Sequence, residues 1–296
     1  NDSEDEKMAT LREIKFRIRA ARNIQQITKA MKLVAAARLR RAHERIIQAR
    51  PYAHKMEEVL GRMVCHTAAE SHPLLTRRNT GRQLLLLVTA DKGLCGSFNH
   101  NTTRQGWEWV ERSRREGKEN YLAVVGRKGK EFLRGKRWVP LAEYINIFAR
   151  LSYAHAARIA QDILRFYDEL QLEEVFLLYN EFKSAGRQKL VCATLLPIDP
   201  SLPDACPVPS NYSYEPSAQV IFQELLPKYA EVQIFHALLE SAAAEQDARM
   251  TAMQMATQNA GEMINRLSLL YNKARQERIT KELLELVAGG EALKSG

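Results

Sequence analysis

The chain has 296 residues, 45% of them hydrophobic and 27% charged, with a formal net charge of +9 at pH 7. That size and apolar content allow two domains and a real core, while the longest apolar run, Leu84-Leu85-Leu86-Leu87-Val88, is strand-sized and excludes a spanning helix. Cys65, Cys95, Cys192 and Cys206 are scattered with no C-x-x-C pair, which predicts a reducing compartment with no disulfide framework and no zinc site.

Residues 1–7 are acidic and polar, unlike a signal peptide, and Met8-Ala9-Thr10 reads like a natural start with an added or disordered extension ahead of it. From Thr10 to about Met63 there is no Pro before Pro51 and no Gly before Gly61, which predicts one long helix. A spacing of alternating three and four follows Ile14, Arg17, Ala21, Ile24, Thr28, Met31, Ala35, Arg38 and Ala42. Between Thr10 and Arg50 twelve Lys/Arg face only Glu13 and Glu44, a local excess larger than that of the whole chain. Such a helix needs solvent, nucleic acid, an acidic membrane or an acidic protein surface beside it. The cations lie all round the helix without interleaved aromatics, which weakens the nucleic-acid reading.

The middle has another texture. Residues 83–89, 121–126, 174–179 and 189–196 read as buried-type strands, separated by helices over about 99–116, 128–135 and 153–170. This predicts a small α/β unit with a largely parallel sheet. Residues 180–188 leave no room for a helix, so the last two strands form an antiparallel hairpin. Six prolines between 197 and 216 mark an irregular linker. From Pro216 to Ala288 a second rod follows, with the spacing Met253, Ala256, Ala260, Met263, Leu267, Leu270, Ala274 continuing one from Val232 through Gln246 and Arg249. It is mildly acidic, with eight Lys/Arg against ten Asp/Glu from residue 216 onward. Two rods flanking one globular middle predict a mixed α+β and α/β fold: a long antiparallel coiled coil of N- and C-terminal helices with an inserted Rossmann-like α/β domain. The expected boundaries are 8–66 and 216–290 for the coiled-coil helices, 80–200 for the α/β domain and 201–215 for the linker.

Motifs for chemistry are weak. Ala90-Asp91-Lys92-Gly93-Leu94-Cys95-Gly96-Ser97 follows a strand and precedes a helix, but fits neither G-x-x-x-x-G-K-[ST] nor G-x-G-x-x-G. A tight turn presenting a loop is expected there rather than a nucleotide site. Cys95, near a helix N-terminus, is a candidate nucleophile, set against a buried inert thiol. The pairs Glu57-Glu58, Asp168-Glu169 and Glu173-Glu174 read as solvated helix faces. The histidines have no metal-ligand spacing.

Several segments resemble the gamma subunit of the F-type ATP synthase. They are Leu11-Arg12-Glu13-Ile14-Lys15, the stretch Ile27 to Leu39, Thr89 to Asn99, Glu245 to Met253, Ala256 to Ala260 and Tyr271 to Leu283, in the family's order. The resemblance implies a non-catalytic central-stalk rotor with no cofactor. Its implied partners are three alpha and three beta subunits, an epsilon subunit and the c-ring, with no nucleic acid and only indirect membrane association. It also implies beta-subunit contacts at Arg275, Gln276, Met31, Lys29, Lys32 and Lys92, and an apolar bearing at Leu283, Leu284, Leu286 and Val287. The implied location is the cytoplasmic face of a bacterial plasma membrane, or else the matrix face of the mitochondrial inner membrane. The closely spaced cysteine pair of light-regulated members is absent, since Cys192 and Cys206 are fourteen apart. A coiled-coil adaptor and a basic nucleic-acid binder stand as the other function classes.

Overall fold

In the computed structural model the described residues are 11–66, 72–198 and 218–292. The extension 1–7 and the linker 201–215 lie outside them. Two helices of 56 and 75 residues, α1 (Leu11–His66) and α5 (Ala218–Ala292), bracket the elements β1 (Arg82–Val88), α2 (Phe98–Arg115), β2 (Glu119–Val125), α3 (Arg127–Gly135), β3 (Ala142–Tyr144), α4 (Tyr153–Glu169), β4 (Glu174–Ser184) and β5 (Arg187–Leu196). The chain divides into two units, residues 35–251 and residues 1–34 with 252–296.

The first unit is built on a five-stranded sheet of order β3-β2-β1-β4-β5. β1 runs parallel to β2 and β4, β2 parallel to β3, and β5 antiparallel to β4. The unbroken apolar run of β1 follows from two covered faces. Leu84, Leu86 and Val88 join Ile159 and Ile163 of α4, Ile46 and Leu60 of α1, and Leu226, Ile234 and Leu238 of α5. Leu85 and Leu87 join Trp109 and Val110 of α2 and Leu133 of α3. Period-two alternation therefore holds within a run that shows none in composition.

The edge strand β3 was not expected. It has three residues, too few for a pattern, and is tied to α4 by Tyr144 donating to Asp162 Oδ2 at 2.8 Å. The reading of Glu173-Glu174 as a solvated helix face is corrected. Glu173 is 6% exposed at the entry to β4, where it accepts from the Gly81 N–H at 2.9 Å and from Arg77 at 3.3 Å. Glu174 pairs with Arg77 at 2.8 Å and accepts from Gln83 Nε2 at 2.7 Å. Glu173 can be buried and Glu174 half-buried because donors surround both carboxylates.

α5 grips the hairpin through acids on its inner face. Glu240 accepts from the Phe182 N–H at 3.0 Å, and both oxygens of the fully buried Asp247 accept from the Gly186 N–H at 3.0 Å. At the opposite turn, β2 passes into α3 hard against the end of β1. Gly126 has φ 92°, and a Cβ there would lie 2.1 Å from Thr89 O. At Gly129 it would lie 2.4 Å from Val124 Cγ2. The Thr89 hydroxyl fills this space, accepting from the Gly129 N–H and donating to Val125 O, each at 2.8 Å.

The second unit pairs segments of α1 and α5 antiparallel. Thr28 Oγ1 and Thr257 Oγ1 lie 2.8 Å apart, while Lys15, Ile18 and Arg22 share a groove with Ser268, Tyr271 and Asn272. The predicted seam holds at every seventh residue, since Ile14, Ala21 and Thr28 are buried, as are Met253 and Ala260. The positions between are shifted by one. Ile18 is buried and Gln25 half-buried, whereas Arg17 and Ile24 are exposed. Likewise Ile264 and Tyr271 turn inward in place of Met263 and Leu270. A helix of 3.6 residues per turn offers both the third and the fourth residue to the seam, and spacing alone does not choose.

Gly129→Ala is expected to destabilise the fold by about 2 kcal/mol or more, because the methyl meets a β-branched side chain inside a packed layer; chemical denaturation reads this directly. Burial, and then donation to Asp162, pushes the Tyr144 phenol up. Burial and donation to Glu231 do the same at Tyr153, and burial takes Tyr179 up to about 12. The native chain therefore keeps phenol protons that the unfolded chain loses. Stability is expected to be full below the ordinary tyrosine range and to fall as pH rises through it, seen as a declining urea midpoint.

Candidate functional site

The loop from Asp91 to Ser97 leaves the C-terminal end of β1, where open parallel sheets place their ligand crevice. Here the chain fills that position itself. Asp91 Oδ1 accepts from the Arg127 N–H at 3.1 Å, at the start of α3, and from the Asn146 N–H at 2.8 Å. A carboxylate at a helix N-terminus meets the same donors that an anionic ligand meets. Asn99 closes the loop from inside. Its Oδ1 accepts from the Ala90 N–H at 2.9 Å, and its Nδ2 donates to Lys92 O at 3.4 Å and to Cys95 Sγ at 3.1 Å. From α5, the buried Arg249 donates to Gly93 O and to the Glu245 carboxylate. Burial raises the Glu245 carboxyl above the ordinary range, against the hydrogen bond and charge of Arg249.

Cys95 is 1% exposed. Burial pushes its thiol up, with the Arg249 charge opposing. That is an inert thiol rather than a nucleophile. Leu94 faces outward, 65% exposed, with φ 63°.

Beside this loop lies a basic cleft of about 430 Å³, lined by Arg38, Arg41, Arg45, Asp91, Lys92 and Gln246 among others. Arg45 donates to Leu151 O at 3.3 Å. Arg38, Arg41 and Lys92 are exposed and form no salt bridge among the described residues, while the Arg38 charge is felt at Glu245.

In the two-helix unit, Lys29 and Lys32 line a groove of about 450 Å³ with Gln25, Gln26, Gln254, Thr257 and Gln258. Met31 is half-buried. Arg275 and Gln276 are both exposed on α5. They stand about 27 Å from the level of Thr257 at the helical rise. Leu283, Leu284, Leu286 and Val287 are exposed by 57 to 73%. The structure thus brings Lys29 and Lys32 together, leaves Arg275 and Gln276 at another level, and puts Lys92 in the other unit. Sequence reasoning missed the roles of Asp91, Leu94 and Arg249. The available signal was Arg249 itself, a cation at an inward position, which needs a carboxylate and a carbonyl to be buried. Among the described residues no cluster of His, Cys, Asp or Glu suits a metal ion, and no helix is long and apolar enough to cross a membrane.

Comparison with known proteins narrows the reading. A family model described as ATP synthase matches residues 10–293. The ATP synthase gamma chain of Geobacter sp. (strain M21) is 47% identical over 287 residues, covering 97% of this chain and 100% of the relative. That of Desulfitobacterium hafniense (strain DSM 10664 / DCB-2) is 45% identical over 287 residues, with the same coverage. Among solved structures, a chain of the central stalk and c-ring of the Tetrahymena thermophila mitochondrial ATP synthase aligns with a TM-score of 0.58 at 29% identity, covering 78% of this chain and 99% of that one. A chain of the Euglena gracilis mitochondrial ATP synthase OSCP/F1/c-ring assembly in rotational state 3 shares the fold, with a TM-score of 0.69 at 18% identity over 97% of this chain and 95% of its own. With the family matched across residues 10–293 and gamma chains matched along their whole length, this chain belongs to the ATP synthase gamma chain family, the central stalk of the F-type complex.

Proposed function

We propose that this chain is a rotary central-stalk subunit, non-catalytic itself, which couples ion flow through the membrane sector to conformational cycling of catalytic beta sites. The observation that carries this reading is the set of apolar side chains left outside the two-helix unit. Phe16, Ile24 and Ile27 on α1 and Met255, Met263, Leu269 and Leu270 on α5 are 53 to 72% exposed. Packing between the helices does not use them, so they suit a sleeve around the pair. The charges interspersed among them keep that surface from locking into one position.

Three alpha and three beta subunits form the sleeve in this reading, with epsilon and the c-ring as further partners. Nucleic acid has no place in it, and membrane association is indirect. The relatives with full-length matches are bacterial gamma chains, which supports the cytoplasmic face of a plasma membrane. The helices over 8–66 and 216–290 serve as the shaft, the α/β domain over 80–200 as the base, and 201–215 as the linker. Arg275, Gln276, Met31, Lys29, Lys32 and Lys92 contact beta subunits, the cations against carboxylates and Arg275 through its planar fork. Leu283, Leu284, Leu286 and Val287 form the apolar bearing. One asymmetric shaft facing three sites favours a different state at each, which requires contacts that differ between states.

Reconstitution with matched alpha and beta subunits tests the reading. Assembly of one chain with six subunits, and ATP-driven stepwise turning of a probe on the α/β unit, is the expected result. Assembly without turning would leave a coiled-coil adaptor. Replacing Arg275→Ala together with Gln276→Ala is expected to lower coupled ATP synthesis by about tenfold, the scale of a lost charge-assisted hydrogen bond. The unfolding midpoint should be unchanged, because both side chains are exposed. Wild-type synthesis rates in the double variant would remove this pair from the contact set.

A further inference from the structure

We infer that a basic and aromatic patch at the C-terminal ends of α2 and α3 is a lipid-contact surface, which seats Val139 on a bilayer of anionic phospholipids. The inference rests on the rotor reading above for the direction in which the patch faces. It goes beyond the indirect membrane association of that reading by giving this chain a lipid contact of its own.

Parallel pairing fixes where the patch lies. β1 and β2 run side by side from Arg82 opposite Glu119, and β2 runs parallel to β3. The crossover helices α2 and α3 therefore run back and end at the starting edge of the sheet. That end is opposite the Asp91–Ser97 loop. In the rotor reading Lys92 of this loop meets beta subunits, so the ends of α2 and α3 face away from them, toward the membrane sector. Aromatic packing joins the two helices. Trp107 of α2 meets Phe132 of α3 and Trp138 edge to face, with ring centroids 6.3 and 6.0 Å apart. Lys136 Nζ lies 4.9 Å from the Trp107 centroid, and the Arg114 guanidinium 5.1 Å from that of Trp138. The loop beyond α3 is pinned on both sides of Val139. The Trp138 N–H donates to Leu133 O at 3.0 Å, and the Leu141 N–H to Leu122 O at 2.7 Å. Val139 between them is 88% exposed, the most exposed large apolar side chain among the described residues.

Cations suit the negative end of a helix dipole, which accounts for some of the charge here but not for its excess. Arg114, Arg115, Arg134, Lys136 and Arg137 are all exposed and form no salt bridge among the described residues. Most acids of the same segments have other partners. Glu108 pairs with Arg104, Glu119 with Arg82 and Glu131 with Lys128, while Glu111 accepts from Trp107 Nε1 at 2.7 Å. Only Glu116 stands beside the cations without such a bond among the described residues. Arg137 keeps its charge at φ 56°, in a helix-ending turn that glycine makes at lower cost. The result is a ring of cations around an exposed valine and a half-buried tryptophan. An anionic bilayer surface matches both parts. Its phosphates take the cations, and the boundary beneath them takes an indole ring and a small apolar side chain. A purely acidic protein surface would take the charges and leave Val139 in water.

The test is flotation of the reconstituted complex with alpha and beta subunits, in which the basic shaft is covered. The vesicles are equal parts phosphatidylcholine and phosphatidylglycerol, compared with phosphatidylcholine alone. The complex is expected to float with the anionic vesicles only. Combining Arg134→Gln, Lys136→Gln and Arg137→Asn, the last chosen because Asn tolerates the left-handed backbone, should weaken binding by about tenfold or more. Val139→Ser should weaken it by about threefold and Val139→Trp should strengthen it, with unfolding midpoints unchanged because the side chain is exposed. A complex that assembles and turns yet stays off the anionic vesicles would overturn the inference, leave the rotor reading standing and give the patch to an acidic protein. Binding that follows the charge variants but ignores both changes at Val139 would overturn it too, by reducing the patch to unspecific attraction. A wild-type chain that fails to assemble or turn would remove the rotor reading, and this inference with it.

Discussion

Capture of main-chain groups by charged side chains of α5 is the interaction on which the α/β unit depends. Glu240 takes the Phe182 N–H, Asp247 takes the Gly186 N–H, and Arg249 takes Gly93 O while Glu245 balances its charge. Each of these groups would be costly in the interior without its partner, and outside the Glu245–Arg249 pair each partner is a main-chain group. The helix therefore binds the hairpin and the loop through bonds that charge strengthens, in addition to apolar contact. Displacing α5 here would cost Glu240, Asp247 and Arg249 their main-chain partners at once.

The consequence reaches the candidate site. Asp91, Asn99 and Arg249 hold one loop from three elements, so the cleft and the loop move with α5 rather than independently of it. The proposed rotor role calls for stiffness between α5 and the surface the α/β unit presents. The described hydrogen bonds supply that stiffness locally, without any bound group at the end of β1.

Much of this was legible in the residues. The strand runs, the hairpin and the two long helices follow from apolar periodicity and from the spacing of Pro and Gly. β3 was not, because three residues carry no period and its place depends on β2 and α4. The seam was half legible. Residues seven apart were placed correctly, and the choice between Arg17 and Ile18, or between Met263 and Ile264, waited on the partner helix. Glu173 and Asp247 look like surface acids in sequence, because the donors that permit their burial lie 92 and 61 residues away. The contact role proposed for Arg275 and Gln276 rests on family likeness alone, since an exposed Arg-Gln pair on a helix has no local signature.

The polar layer of the two-helix unit has a consequence of its own. Thr28 and Thr257 meet at 2.8 Å, and each hydroxyl also touches a carbonyl one turn back, Gln25 O at 3.1 Å and Met253 O at 2.7 Å. A seam of mixed small and apolar side chains sets no unique register, and one part-buried polar pair helps to fix it. Because that pair is uncharged, neither protons nor dissolved salt can loosen it. The ion pairs along the same helices, such as Arg17 with Glu13, are open to both influences. A central stalk aligned in this way keeps its register through changes of pH and salt that weaken its surface ion pairs.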